Sequence, residues 1–218
     1  MRKKLSIILF ILIISIFTVA CSNKKEKDNS NVLVTLVLDK GGVNDESFNQ
    51  LAWEGAKKAS IEYGIKIKYL ESNTDADYKS NLEQAVDLDS NLIIAVGFNL
   101  SEALKEAAIY YPKSSFAIID GSFDKIPENV TNINFDEGEA GYLAGLASAK
   151  TLDGNKFGFI GGISVPAVEN YKEGFEKGLL EVNPNIELSV QYANSFSDAA
   201  KGKAIATQMY NNDINCIM

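Results

Sequence analysis

The sequence predicts a doubly wound α/β fold, and three observations carry the prediction. From residue 32 onward, short β-branched and aromatic runs alternate with amphipathic segments of helical period, and glycine, proline and asparagine punctuate the joins. The composition, 46% hydrophobic and 23% charged, is that of a globular chain, neither disordered nor a many-span membrane protein. Strands separated by helices need right-handed crossovers, and so imply largely parallel sheets covered on both faces.

The chain does not begin with that pattern. Arg2-Lys3-Lys4 precedes an apolar run of 16 residues, Leu5 to Ala20. That is short of the about 20 residues a spanning helix needs. A basic start, an apolar stretch and small residues before a break predict a secretory signal peptide over residues 1–20. The break, Thr18-Val19-Ala20-Cys21, is similar to a bacterial lipobox, in which the cysteine receives a lipid after cleavage; leucine is usual where Thr18 stands. The competing reading is an uncleaved N-terminal anchor helix. Residues 21–31 then comprise the lipidated Cys21 and a polar, aperiodic tether that would hold a folded domain near a membrane without inserting it.

Strands are predicted at Val32–Leu38, Ile65–Leu70, Leu92–Val96, Phe116–Ile119, Val130–Ile133, Phe157–Ile160, Ile186–Gln191 and Ile214–Met218. The first helical pattern covers 45–63, with Phe48, Leu51, Ala52, Ala56, Ala59 and Tyr63 at three- and four-residue spacing, Asn44 as N-cap and Gly64 past its end. A second runs over 101–111, from Ser101 to the stop at Pro112. A third covers 166–181, with Pro166 in its first turn, a Tyr171/Phe175/Leu179 stripe and Asn183-Pro184 as its stop. Thr151-Leu152-Asp153-Gly154-Asn155 is turn-rich, which places a division near residue 150: a first lobe over 32–150, closed by Asp136–Lys150, and the start of a second over 151–218, which reads as incomplete.

Chemistry narrows by exclusion. The chain has no histidine, so serine-histidine-acid and cysteine-histidine catalysis are impossible and the commonest zinc ligand is missing. A formal charge of −8, or −11 once Arg2, Lys3 and Lys4 are removed, argues against a nucleic-acid partner. Neither a phosphate loop nor a dinucleotide fingerprint occurs, and no cofactor is expected. Asp87-Leu88-Asp89-Ser90-Asn91 has the spacing of a calcium loop's first ligands, but Leu92 and Phe98 replace its glycine and closing glutamate, so it reads as a polar turn. Asp75 and Asp77 read as loop carboxylates, and Lys201 and Lys203 as a solvated helix face.

In open parallel sheets ligands bind at the carboxyl ends of strands. Three such places stand out: Asp39-Lys-Gly-Gly-Val-Asn44-Asp-Glu-Ser-Phe48, Asp120-Gly-Ser-Phe123 and Gly161-Gly-Ile-Ser-Val-Pro166. Residue chemistry alone leaves two roles open at each. Asn44 reads as a plain N-cap or a ligand contact, Phe48 as a core residue or a side chain on the cleft face, and Asp120 as a turn-starting carboxylate or an acceptor for ligand hydroxyl or ring N–H groups. Asp39 clearly wants a partner. The Gly161–Pro166 loop either faces a cleft or makes a tight βα turn.

Asp39-Lys-Gly-Gly-Val-Asn44-Asp-Glu-Ser-Phe48-Asn-Gln-Leu-Ala-Trp53-Glu-Gly55 resembles the N-terminal signature of the basic membrane protein family. So do Val96-Gly97-Phe98, Phe116-Ala-Ile-Ile-Asp120, Glu137-Gly-Glu-Ala-Gly-Tyr-Leu-Ala-Gly145, Gly158-Phe-Ile-Gly-Gly162 and Ser195-Phe-Ser-Asp198-Ala-Ala-Lys201-Gly202, in order, through nearly all of residues 32–218. The resemblance implies a type I periplasmic-binding-protein fold, two α/β lobes joined by a hinge and closing on a ligand. It implies a lipoprotein that captures purine nucleosides and delivers them to an ABC permease. By motif, Phe48 stacks on the base, Asp120 makes a polar contact, and Asp39 and Asn44 add others. The resemblance carries a reading without catalysis. A surface adhesion lipoprotein and a nucleoside-processing enzyme using Asp39 and Asp120 are the competing classes.

Overall fold

The computed structural model describes residues 31–218; the leader and Cys21 lie outside the described residues. Its elements alternate as the sequence predicts, except that no helix separates the fourth and fifth strands. The first half runs β1 (Leu33–Val37), α1 (Phe48–Tyr63), β2 (Lys66–Leu70), α2 (Asp77–Asp87), β3 (Leu92–Val96), α3 (Ser101–Tyr110), β4 (Phe116–Ile119) and β5 (Val130–Ile133). The second runs α4 (Glu137–Thr151), β6 (Lys156–Gly161), α5 (Pro166–Val182), β7 (Glu187–Tyr192), α6 (Ala199–Asn211) and β8 (Cys216–Ile217). Every pairing is parallel: β2-β1-β3-β4-β5 form one sheet and β7-β6-β8 another.

Burial follows the two-residue period of the strands. Val37 of β1 and Ile93 of β3 join Leu82 of α2, Leu104 of α3 and Phe116 of β4 in one core. Leu36, Leu38 and Val96 face the other way, against Ala52, Trp53 and Ala56 of α1. The first sheet is therefore covered on both faces, as a parallel sheet requires. The polar turn expected at Asp87–Asn91 is present: Asp89 takes a positive φ of 53°, and Asn91 Oδ1 accepts from the Leu33 N–H at 2.8 Å.

Three local expectations are corrected. Helix α1 starts at Phe48 and Asn44 does not cap it; the Asp45 carboxylate does that work, accepting from the N–H groups of Ser47 (2.9 Å), Asn49 (3.0 Å) and Gln50 (3.0 Å). A carboxylate at that place is also favoured by the helix dipole. The buried stripe of α1 is displaced one residue from the expected one: Asn49, Ala52, Trp53 and Ala56 face inward, whereas Phe48, Leu51 and Tyr63 are more than half exposed. The Trp53 ring meets Tyr69 edge-on at 4.9 Å, and a side chain of that size sets the helix's rotation. Asp77 is no loop residue but the first residue of α2, where it accepts from the Asn73 and Thr74 N–H groups.

The lobe boundary also differs from the expected position near residue 150. Helix α4 does not close the first core: Ala144 and Ala149 pack with Phe157, Phe175 and Leu179 in the second. Its contact with α5 is backbone to backbone. A Cβ on Gly141 or Gly145 would collide with the carbonyls of Tyr171 or Phe175, and one on Gly174 or Gly178 with those of Gly138 or Tyr142. Only glycine permits so close a crossing. The two cores thus separate between β5 and α4.

Candidate ligand cleft at the strand ends

Strands β1, β3 and β4 are neighbours in one parallel sheet, so their carboxyl ends open on the same edge. Asp39 follows β1, Gly97 and Phe98 follow β3, and Asp120 follows β4. Asp39 and Asp120 thus both follow strands that end on this edge. Gly97 adopts φ 96°, a conformation closed to most side chains, and a Cβ there would lie 3.7 Å from Asp39 Oδ2.

Asp39 is held from two sides. Its Oδ1 accepts from the Gly41 N–H at 2.9 Å and from Asn49 Nδ2 at 2.7 Å. The same Asn49 nitrogen donates to Asp45 Oδ2 at 3.1 Å, so one amide joins two carboxylates. Asn49 is 1% exposed, and its carbonyl oxygen is buried without a hydrogen-bond partner. An orphaned acceptor costs about 1–3 kcal/mol, and rotating the amide would be worse because it would aim that oxygen at two carboxylates. Three backbone N–H groups donating to Asp45, together with Asn49, outweigh its burial and hold its carboxyl below the usual range.

Asp120 is set differently. It takes a positive φ of 56°, and its Oδ1 is buried without a partner. Burial, and secondarily the negative charge of Glu137, raise its carboxyl above the ordinary value. The backbone around it is tied down: Asp120 N–H donates to the Ile133 carbonyl, Asn132 exchanges two hydrogen bonds with Gly121, and Ser101 Oγ accepts from the Ser122 N–H.

Phe48 is 52% exposed at the first position of α1, so of its two readings the core one is excluded. Asn44 is exposed in the preceding loop, beside the cluster but outside its hydrogen-bond network. The second sheet contributes its own strand ends. The ring of Phe196, in the loop after β7, covers Gly162 and meets Phe98 edge-on at 5.8 Å, joining the two sheets' edges. Ser164 Oγ, Tyr192 Oη and Lys172 Nζ all donate to Glu169 at 2.6 Å, which pins the Gly161–Val165 loop to the end of β7 and holds the Glu169 carboxyl down at about 2. Sequence reasoning missed Asn49, Phe196 and Glu169 as individuals, although the first two stand inside motifs it singled out. The signal for Asn49 was there, a polar residue on a stripe with Ala52, Trp53 and Ala56.

Two parallel-sheet lobes, whose strand ends meet through Phe98 and Phe196, make a type I periplasmic-binding-protein-like fold. The sequence profile of the Bmp family, described as ABC transporter substrate-binding protein PnrA-like, matches residues 32–218, and the chain belongs to that family. It is 40% identical over 197 residues to the CD4+ T-cell-stimulating antigen of Listeria innocua, covering 88% of this chain and 55% of that protein. It is 41% identical over 193 residues to the ABC transporter nucleoside-binding protein BmpA of Lactococcus lactis subsp. cremoris, covering 87% of this chain and 55% of that protein. Among solved structures, an ABC transporter solute-binding protein from Aeropyrum pernix superposes with a TM-score of 0.77 at 28% identity, covering 85% of this chain and 54% of that one. The chain thus spans about half the length of these relatives.

Proposed function

We propose that this protein is the extracytoplasmic solute-binding lipoprotein of an ABC uptake system and captures purine nucleosides between its lobes, presenting them to a permease without chemical change. The observation that carries the reading is the arrangement at the strand ends. An exposed aromatic, Phe48, opens the helix whose next residue, Asn49, holds Asp39, with Asp120 on the same sheet edge and Phe196 on the opposing lobe. Flat apolar faces suit a base, and carboxylates with unpartnered oxygens suit ribose hydroxyls and ring N–H groups. The nucleoside-binding name of the Lactococcus relative supports the choice of ligand.

Among the described residues no helix is long and apolar enough to cross a membrane; attachment through a lipid on Cys21 is part of the proposal and is supported by the basic start, the apolar stretch and the small residues before that cysteine. Among those residues no group of His, Cys, Asp or Glu side chains is arranged to hold a metal ion. The test is to purify the protein without added ligand, release its bound small molecules and weigh them, then titrate inosine, guanosine, cytidine and ribose by calorimetry. The expected result is purine nucleoside in the released fraction and heat with inosine or guanosine only, with no free base after incubation. Retention of a sugar alone, or release of free base, would overturn the proposal.

A further inference from the structure

The amide of Asn49 is buried on a helix face otherwise made of Ala52, Trp53 and Ala56. It is 1% exposed, donates to Asp39 at 2.7 Å and to Asp45 at 3.1 Å, and leaves its carbonyl oxygen orphaned. An ordinary core position on the Ala52/Trp53/Ala56 stripe would be apolar. The amide's donor side must therefore offset the orphaned oxygen, and both of its acceptors belong to the strand-end loop.

We infer that Asn49 is the positioning residue of the first lobe's half of the cleft: it consumes Asp39 Oδ1 inside the loop and leaves Oδ2 for a ligand donor. Three observations converge on this. With Asn49 and the Gly41 N–H both on Oδ1, the Asp39 carboxylate is held to one orientation, its other oxygen lying 3.7 Å from where a Cβ on Gly97 would sit. A Cβ on Gly41 would lie 3.0 Å from Asn49 Nδ2 and 3.2 Å from Asp39 Oδ1, so the glycine leaves room for this hydrogen bond. Through Asp45, the same amide braces the carboxylate that caps α1, and so the place of Phe48 at the helix's first position. Asn49 touches no ligand; it acts through Asp39 and Asp45.

The inference rests on the nucleoside-capture reading, and its test separates the two. Inosine affinity is measured for the parent, Asn49→Ala, Asn49→Asp, Asp39→Ala and the Asn49→Ala/Asp39→Ala pair. Asn49→Ala is expected to weaken binding by about ten- to a hundredfold, the equivalent of one charge-assisted hydrogen bond. Adding it to Asp39→Ala should cost markedly less than it does alone, because its main route of action is already gone. Asn49→Asp keeps the side chain's shape but sets a third carboxyl against two others. Its binding should be weak near about pH 7.5 and recover toward about pH 5, as the introduced acid takes up a proton and donates again, while Asn49→Ala shows no such recovery relative to the parent.

A readout without ligand accompanies these: amide exchange at Gly41 should quicken in Asn49→Ala, whose folding is checked by urea unfolding, and in the isosteric Asn49→Asp at neutral pH. If the parent binds no nucleoside, the capture reading fails, and the exchange measurement alone decides the positioning role. Strictly additive affinity losses, or unchanged exchange at Gly41 in folded variants, would overturn the inference.

Discussion

Phe48 and Asn44 each came with two readings, and exposure excludes the core role of the first while hydrogen bonding excludes the capping role of the second. Because Phe48 is 52% exposed, replacing it should cost little stability, within about 0.5 kcal/mol in urea unfolding, as for other surface positions. Under the proposed function the loss falls on binding: Phe48→Leu should weaken nucleoside affinity by about tenfold to a hundredfold, and Phe48→Trp should keep most of it because an aromatic face survives. Calorimetric titration checks both, and a Phe48→Leu variant with parental affinity would rule out stacking. Asp120 makes a prediction about pH. Its carboxyl is raised in the folded state, so the native protein holds more of its proton than the unfolded chain does, between the ordinary carboxylate value and the raised one. Through that window stability falls as pH rises. Asp120→Asn, which tolerates the positive φ, should remove this slope and leave the ligand-free protein more stable at neutral pH while weakening binding; unfolding series across pH test it. Asn44 failed as a cap because capping is a contest between neighbours, and Asp45 reaches three N–H groups at once.

Strand positions were legible in the sequence because β-branched runs bounded by turns have a local cause. Helices α3 and α5 were legible from their stops and stripes, and α5 buries Phe175 and Leu179 as its stripe requires. The rotation of α1 was not, since a stripe at 48/51/52 and one at 49/52/53/56 differ by a single residue, and the choice is made by Trp53 against Tyr69 on a different element. Helix α4 was misassigned for a related reason: its glycines look unremarkable until α5 is laid across them. They support a paired prediction. Gly145→Ala and Gly178→Ala should each destabilise by about 1–3 kcal/mol or more, because the added methyl meets backbone carbonyl and no flexible side chain. Gly55→Ala, in the middle of α1 with open space around it, should instead stabilise by about 0.5–1 kcal/mol. Thermal unfolding of the three variants reads the contrast, and equal destabilisation by all of them would show that the crossing is less tight than described.

At the scale of the whole molecule, the carboxyl edges of the two parallel sheets meet through Phe98 and Phe196. At this scale the proposed anchorage is testable. Cys21→Ser should release the protein from the membrane fraction or leave an untrimmed precursor, as fractionation and intact mass would show; a correctly trimmed variant still held on the membrane would count against lipid attachment. Phe196→Ala should weaken nucleoside binding by about 1–3 kcal/mol without unfolding the second lobe, whose core is built on Phe157, Phe175 and Leu179. The alternation of strand and helix, the parallel pairing, and the lodging of Asp39 and Asp120 at strand ends could all be read from the linear chain. They follow from local period and from the handedness of crossovers, which need no knowledge of distant residues. The buried face of α1, the amide that joins Asp39 to Asp45, the lobe that α4 serves and the meeting of Phe98 with Phe196 could not. Each depends on which of several similar side chains finds its partner on another element or loop, and that is fixed only when the packed elements compete for the same space.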